Sequence, residues 1–118
     1  MQLKDQLGRY GERLAQQLLR DRGLRIIETN WRCPRGEIDI IAASGDILVI
    51  CEVKTRTSAD FGDPAEAVDR VKSARLRELA VRWLTEHPGG WAEVRFDVVS
   101  VLRGPAGPAR VRHLQGAF

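Results

Sequence analysis

The sequence predicts an α/β fold, a mixed β-sheet flanked by helices in the order α-β-β-β-α-β(-β), as one domain spanning residues 1–118. Three observations carry this prediction. Apolar residues recur at helical spacing near the amino terminus. Two apolar runs joined by a short polar turn then read as an antiparallel hairpin. A second helical pattern separates that hairpin from another apolar strand, which allows a right-handed parallel crossover and makes the sheet mixed.

Leu3, Leu7, Tyr10, Leu14 and Leu18 define an amphipathic helix over about residues 3 to 22, ended by Gly23. Gly8, Gly11 and Ala15 cluster at one side of its stripe. Small residues there suggest close approach to a sheet, since glycine inside a helix costs about 1 kcal/mol relative to alanine. LRIIET, residues 24–29, reads as the first strand, and NWRCPRG after it as a loop punctuated by Pro34 and Gly36. EIDIIAA and ILVICEVKT follow, linked by Ser44-Gly45-Asp46. Both are apolar on both faces, which places them in the middle of the sheet, covered on each side. Residues 57–63 form a loop, and Pro64 suits the first turn of a second helix running to about His87. Pro88-Gly89-Gly90 stops that helix. AEVRFDVVSVL then reads as a strand, GPAGP as a loop and RVRHL as a short edge strand.

With 43% hydrophobic and 30% charged residues, the composition is that of a soluble globular protein, and no apolar run approaches the roughly 20 residues that span a bilayer. The charged amino terminus lacks the apolar core of a secretion signal, so the expected location is the cytoplasm and no membrane partner is expected. Cys33 and Cys51 form no CxxC pair, and neither His87 nor His113 lies at zinc-finger spacing from them. Free thiols are the expectation. A net charge of +3 is compatible with a polyanionic partner.

The informative stretch is GEIDIIAASGDILVICEVKTR, Gly36 to Arg56, which carries charges inside otherwise apolar strands. Strict alternation puts Glu37, Asp39 and Ile41 on one face, and Leu48, Ile50, Glu52 and Lys54 on one face of the next strand. Asp39 and Glu52, nearly equidistant from the turn at Gly45, then meet across the hairpin. An unpaired carboxylate in such a setting is expensive to bury. Two carboxylates, a backbone carbonyl and water make a hard oxygen site suited to Mg2+ or Mn2+, which a phosphate oxygen can complete. Such an ion neutralises phosphodiester charge and lowers the pKa of bound water. Lys54, on the face of Glu52, is placed to orient that water or to stabilise the phosphorus centre. The two acids nearby are expected to hold it protonated.

GEIDIIA followed by ICEVKTR resembles the acid-strand and E-x-K elements of the PD-(D/E)XK nuclease superfamily, with Ile38-Asp39 in place of Pro-Asp. More closely, GRYGERLAQQLL, NWRCPRGEIDIIA, ICEVKTRTSADFG, AEAVDRVKSARL and RFDVV resemble, in order, the blocks of the YraN family of predicted endonucleases, distantly similar to archaeal Holliday junction resolvases. The resemblance covers nearly the whole chain. It implies a restriction-endonuclease-like fold and metal-dependent hydrolysis of nucleic acid, structured or branched DNA in particular. It makes Asp39 and Glu52 metal ligands, lends the Val53 backbone carbonyl to the same ion, and makes Lys54 the catalytic lysine. Glu12 resembles the first-helix acid. Its projection, at the edge of the apolar stripe near Gly8, equally suits a surface glutamate. Glu37, on the strand face assigned to Asp39, is a candidate accessory acid.

Lys72 projects onto the apolar face of the second helix, with Val68, Leu79 and Trp83 around it. A lysine there needs an anion or a path to water; contact with phosphate or the site is the reading adopted over a snorkelling side chain. Arg32, Arg35 and Arg56 flank the site and are candidates for phosphate contact. Trp31 is expected to pack rather than stack on a base, and Asp97 to partner an arginine. A homodimer is allowed. The alternative function is a nucleic-acid-binding module that keeps the fold, does not cleave in isolation and acts with a partner.

Overall fold

The computed structural model describes residues 3–57 and 70–118, with side chains from residue 6 onward. Helix α1 (Leu3–Asp21) leads into β1 (Arg25–Cys33), β2 (Gly36–Ser44) and β3 (Ile47–Arg56); α2 (Arg70–Glu86), β4 (Glu93–Leu102) and β5 (Arg110–Leu114) follow. The strands form one five-stranded sheet in the order β1-β2-β3-β4-β5. Pairing is antiparallel except between β3 and β4, which are parallel across the α2 connection. The mixed α/β architecture and the element order are therefore those expected. Most of the anticipated 57–63 loop, Pro64 and Val68 lie outside the described residues.

The sheet is covered on both faces because β2 and β3 are apolar on both. On one face Ala15 and Leu19 of α1 pack with Ile40, Ala42, Val49, Cys51, Val99 and Val101. On the other, Leu76, Leu79, Ala80 and Trp83 of α2 pack with Ile38, Ile41, Leu48, Ile50 and Phe96. The first helix stops as its sequence dictates: Gly23 has φ of 87°. Gly23 N–H donates to the Arg20 carbonyl at 2.9 Å and Leu24 N–H to Leu19 at 2.9 Å, the paired bonds of a Schellman cap. Leu24 then enters the core. Gly11 brings α1 against β3, since a Cβ there would lie 1.8 Å from Thr55 Oγ1.

Three local expectations are corrected. First, β1 continues through Cys33, so the expected NWRCPRG loop reduces to a two-residue turn at Pro34-Arg35. Trp31 pairs with Ile38, Arg32 with Glu37 and Cys33 with Gly36, and both Trp31 and Cys33 pack on the α2-side core. Second, Ser44 pairs with Ile47, leaving Gly45-Asp46 alone as the hairpin turn. Third, Ile38 and Ile41 share the α2-side core while Ile40 joins the α1-side core, so the strict alternation expected for Glu37, Asp39 and Ile41 breaks at Asp39. The cause lies next door. Asn30 falls in register opposite Asp39, between the Thr29↔Ile40 and Trp31↔Ile38 pairs, and has φ of 53°. A left-handed residue inside a strand interrupts the pleat, and asparagine tolerates that conformation better than most.

Candidate active site

The β2–β3 ladder ends at Ile40↔Cys51, whereas β3 continues against β4 as far as Arg56↔Leu102. Asp39, Glu52, Val53 and Lys54 therefore stand where two central strands part. Asp39 occupies the fork itself: its Oδ2 accepts a hydrogen bond from Val53 N–H at 2.8 Å, in the place of a backbone partner on β2. Because the pleat is interrupted here, Asp39 reaches both faces. It lines a cleft on the α2 side with Gly36, Glu37, Glu52, Lys72 and Arg75. It also lines one on the α1 side with Gly8, Glu12, Val53, Lys54 and Thr55.

Electrostatics mark Asp39 as the strained member. Burial raises its pKa from 3.8 to about 7, the charge of Glu52 pushes in the same direction, and the Val53 N–H only partly opposes them. Glu12 and Glu37 add to the rise. Glu12 is also raised, mainly by burial, although Asn30 hydrogen-bonds its carboxylate. Glu12 thus faces the site, which its helical projection alone does not decide. Gly11, by drawing α1 onto Thr55, fixes that approach.

Oxygens of Glu12, Glu37 and Asp39 lie within 4.8 Å of one another. All three are hard carboxylate donors, a set that fits Mg2+ or Mn2+ better than a thiol- or imidazole-preferring metal. The expected pair was Asp39 with Glu52. Glu52 acts on Asp39 through its charge, but its Oε1 is held by Lys72 Nζ. Lys72 therefore does point inward from α2, and the anion it meets here is a carboxylate of the site. Burial lowers the pKa of Lys72, but the hydrogen bond and charge of Glu52 outweigh it and leave the group above its ordinary value.

The expectation for Lys54 is that the two acids hold it protonated; its surroundings nonetheless pull its proton affinity down. Its pKa is lowered, first by burial and then by the hydrogen bond and positive charge of Lys72, which outweigh Glu52. One lysine has captured the acid that the other was expected to use. Of the flanking arginines, Arg32 lies in β1 and binds Glu37 at 2.6 Å, and Arg35 contacts Glu78 at 3.2 Å. Arg56 ends β3. Sequence alone singles out neither Asn30 nor Arg75: Asn30 because its loop-like neighbours hide a strand, Arg75 because its helix carries many arginines of similar spacing.

Asp97 lies apart from this group. It is fully buried, receives both Nε and Nη2 of Arg95 at 2.9 Å, and meets His113 Nε2 at 2.7 Å and Gly116 N–H at 3.0 Å. The expected arginine partner is present. Cys33 and Cys51 are free, as expected.

The molecule is thus a mixed α/β domain with carboxylates and lysines gathered where two central strands diverge. By sequence it belongs to the family described as Uncharacterised protein family UPF0102, whose model matches residues 11–101. It is 58% identical over 116 residues to a UPF0102 protein of Beutenbergia cavernae, covering 98% of each chain. A UPF0102 protein of Frankia alni is 54% identical over 118 residues, covering all of this chain and 98% of its own. A third, from Paenarthrobacter aurescens, is 50% identical over 116 residues, covering 98% of this chain and 96% of its own. Among the described residues no helix is long and apolar enough to cross a membrane.

Proposed function

We propose that the protein is a metal-dependent endonuclease that hydrolyses phosphodiester bonds of nucleic acid, with structured or branched DNA as substrate and Mg2+ or Mn2+ as cofactor. The observation that carries this reading is Asp39: a carboxylate driven to a pKa of about 7 by burial and neighbouring acids, beside two lysines, in a cleft. Such perturbation in a cleft is typical of functional sites. The likeness of GEIDIIA and ICEVKTR to PD-(D/E)XK elements supplies the reaction class. A cytoplasmic location belongs to the same proposal.

Asp39, with Glu12 and Glu37 beside it and Glu52 after release from Lys72, would hold the ion. An extended residue presents N–H and C=O on one side, so Val53, whose N–H meets Asp39, turns its carbonyl toward the same gap. The bound ion supplies charge neutralisation and a more acidic water. Lys54 would orient the attacking water and face the phosphate as charge builds on its oxygens. With Glu52 among the residues that would hold the ion, Lys72 would be released from that carboxylate and could reach a phosphate oxygen. Water oxygen bonds to phosphorus and gives up one proton, the P–O bond to the leaving sugar oxygen breaks, and that oxygen takes up a proton, leaving a phosphomonoester and a sugar hydroxyl.

A second reading is supported by the Lys72–Glu52 pair, which satisfies both charges without a metal. In it the domain binds nucleic acid and leaves cleavage to a partner. Lys54→Ala separates the two. It is expected to retain affinity for DNA while losing about a thousandfold in single-turnover cleavage with Mn2+, since a lost transition-state contact of about 4 kcal/mol has that effect. The assay covers single-stranded, duplex, flap and four-way junction substrates. If wild type binds and cuts none of them, the binding module is the better account; equal cutting by both proteins points to a contaminant.

A further inference from the structure

We infer that the groove between α1 and the loop after β4 holds a single-stranded segment of the polynucleotide leaving the fork, an inference that rests on the nuclease reading. The groove encloses about 750 Å³ and is lined by Leu7, Tyr10, Arg13, Thr57, Arg103 and Pro105 among others. No carboxylate lines it among the described residues. The half-buried Tyr10 ring packs on the α1-side core, and the Arg103 guanidinium lies over the ring, 5.1 Å from its centroid.

Two features join this groove to the site. Leu7 lines both the groove and the smaller cleft that holds Glu12, Asp39 and Lys54. Arg103 N–H donates to the Arg56 carbonyl at 2.8 Å, which fixes the groove wall to the end of the strand carrying Glu52 and Lys54. Between them, on α1, stands Gly8. Among the described residues a Cβ at Gly8 would meet nothing within 4 Å, in contrast to Gly11, where Thr55 leaves no room. Packing by the described residues therefore accounts for Gly11 and not for Gly8, although each costs the helix about 1 kcal/mol relative to alanine. The space above Gly8 opens into the cleft beside Asp39 and Lys54.

The chemistry of the lining selects the occupant. Two guanidinium groups complement phosphates. The planar Arg103 guanidinium, backed by Tyr10 and flanked by apolar Leu7 and Pro105, gives a base a stacking surface only if that base is unstacked from a duplex, and stacking of this kind tolerates any sequence. A duplex, its bases turned inward, would leave this stacking surface unused.

The test is fluorescence anisotropy in EDTA, across a salt series, with a labelled oligothymidine of about 15 nucleotides and a duplex of equal length, a span suited to single-strand sites. Wild type is expected to bind the single strand. Arg13→Gln combined with Arg103→Gln should weaken this binding about tenfold or more and reduce the salt slope by about 1.4, the value for two phosphate contacts on a single strand. Gly8→Leu, which adds bulk and no charge, should weaken binding at unchanged salt slope without lowering the melting temperature. If wild type binds the oligonucleotide and the arginine variant matches it, the groove is not the path and the nuclease reading stands. Binding of duplex alone likewise rules out the groove as a single-strand path. A wild-type Gly8→Leu profile removes the passage beside α1, and failure of wild type to bind either nucleic acid overturns the nuclease reading as well.

Discussion

Asp39 on β2 and Asp97 on β4 are carboxylates sunk into the same sheet, separated by β3, and their surroundings work in opposite directions. Asp97 has a bidentate guanidinium, an imidazole and a backbone N–H, and these donors overcome its burial to hold its pKa below the ordinary value. Arg22 donates to His113 Nδ1 at 3.3 Å. A guanidinium cannot accept, so the imidazole carries its proton on Nε2 and donates it to Asp97. Asp39, by contrast, receives the Val53 N–H and faces Glu12, Glu37 and Glu52. The first arrangement ties β4 to β5 and to the end of α1. The second leaves negative charge undersupplied with donors, which a bound cation would correct.

The comparison predicts opposite responses to mutation. Asp97→Ala should produce the larger effect, a destabilisation of about 3–5 kcal/mol, because it strands the largely buried Arg95 and His113. Metal affinity at the fork should survive in whatever fraction stays folded. Thermal melts and calorimetry report the two quantities separately.

Asp39→Asn should do the reverse. Folded Asp39 keeps a proton that the unfolded chain has lost between pH 3.8 and about 7, so across that window wild-type stability falls as pH rises. Removing the charge should flatten this dependence and stabilise the protein at pH 8. A shift from 3.8 to about 7 sets a ceiling of about 4 kcal/mol. Binding of Mg2+ or Mn2+ should vanish in this variant and in Glu52→Gln. Asp97 contributes in the opposite sense: its stabilisation is present above the ordinary aspartate pKa and is lost as pH falls through its lower folded value. Urea titrations across pH distinguish these profiles, and unchanged metal affinity in both Asp39→Asn and Glu52→Gln removes the cation site.

Much of this was legible because the signals are periodic. The stripe on α1, the apolar runs of β2 and β3 and the glycine-proline stop after α2 each have a direct physical reading, and the gathering of Asp39, Glu52 and Lys54 followed from them. The remainder depends on departures from periodicity. Asn30, Pro34 and Gly36 are turn formers, yet Trp31 and Cys33 between them have a core to fill, and β1 continues. The switch of faces at Asp39 is invisible to an alternation rule that assumes an unbroken pleat. Lys72 showed that it needed an anion, but only the folded chain reveals that Glu52 answers it and leaves Lys54 with a lowered pKa. Arg13 and Arg103 come from opposite ends of the sequence and meet only in three dimensions.

The most direct test is a carbon-13 NMR titration of the aspartate carboxyl groups in the folded protein, assigned with Asp39→Asn and Asp97→Asn and repeated with Mg2+. The expected result is a midpoint of about 7 for Asp39 that moves downward when the cation is added, and a midpoint below 3.8 for Asp97 that the cation leaves in place. An Asp39 that titrates at or below the ordinary value, or whose elevated midpoint ignores Mg2+, contradicts the assignment of the fork as a cation site.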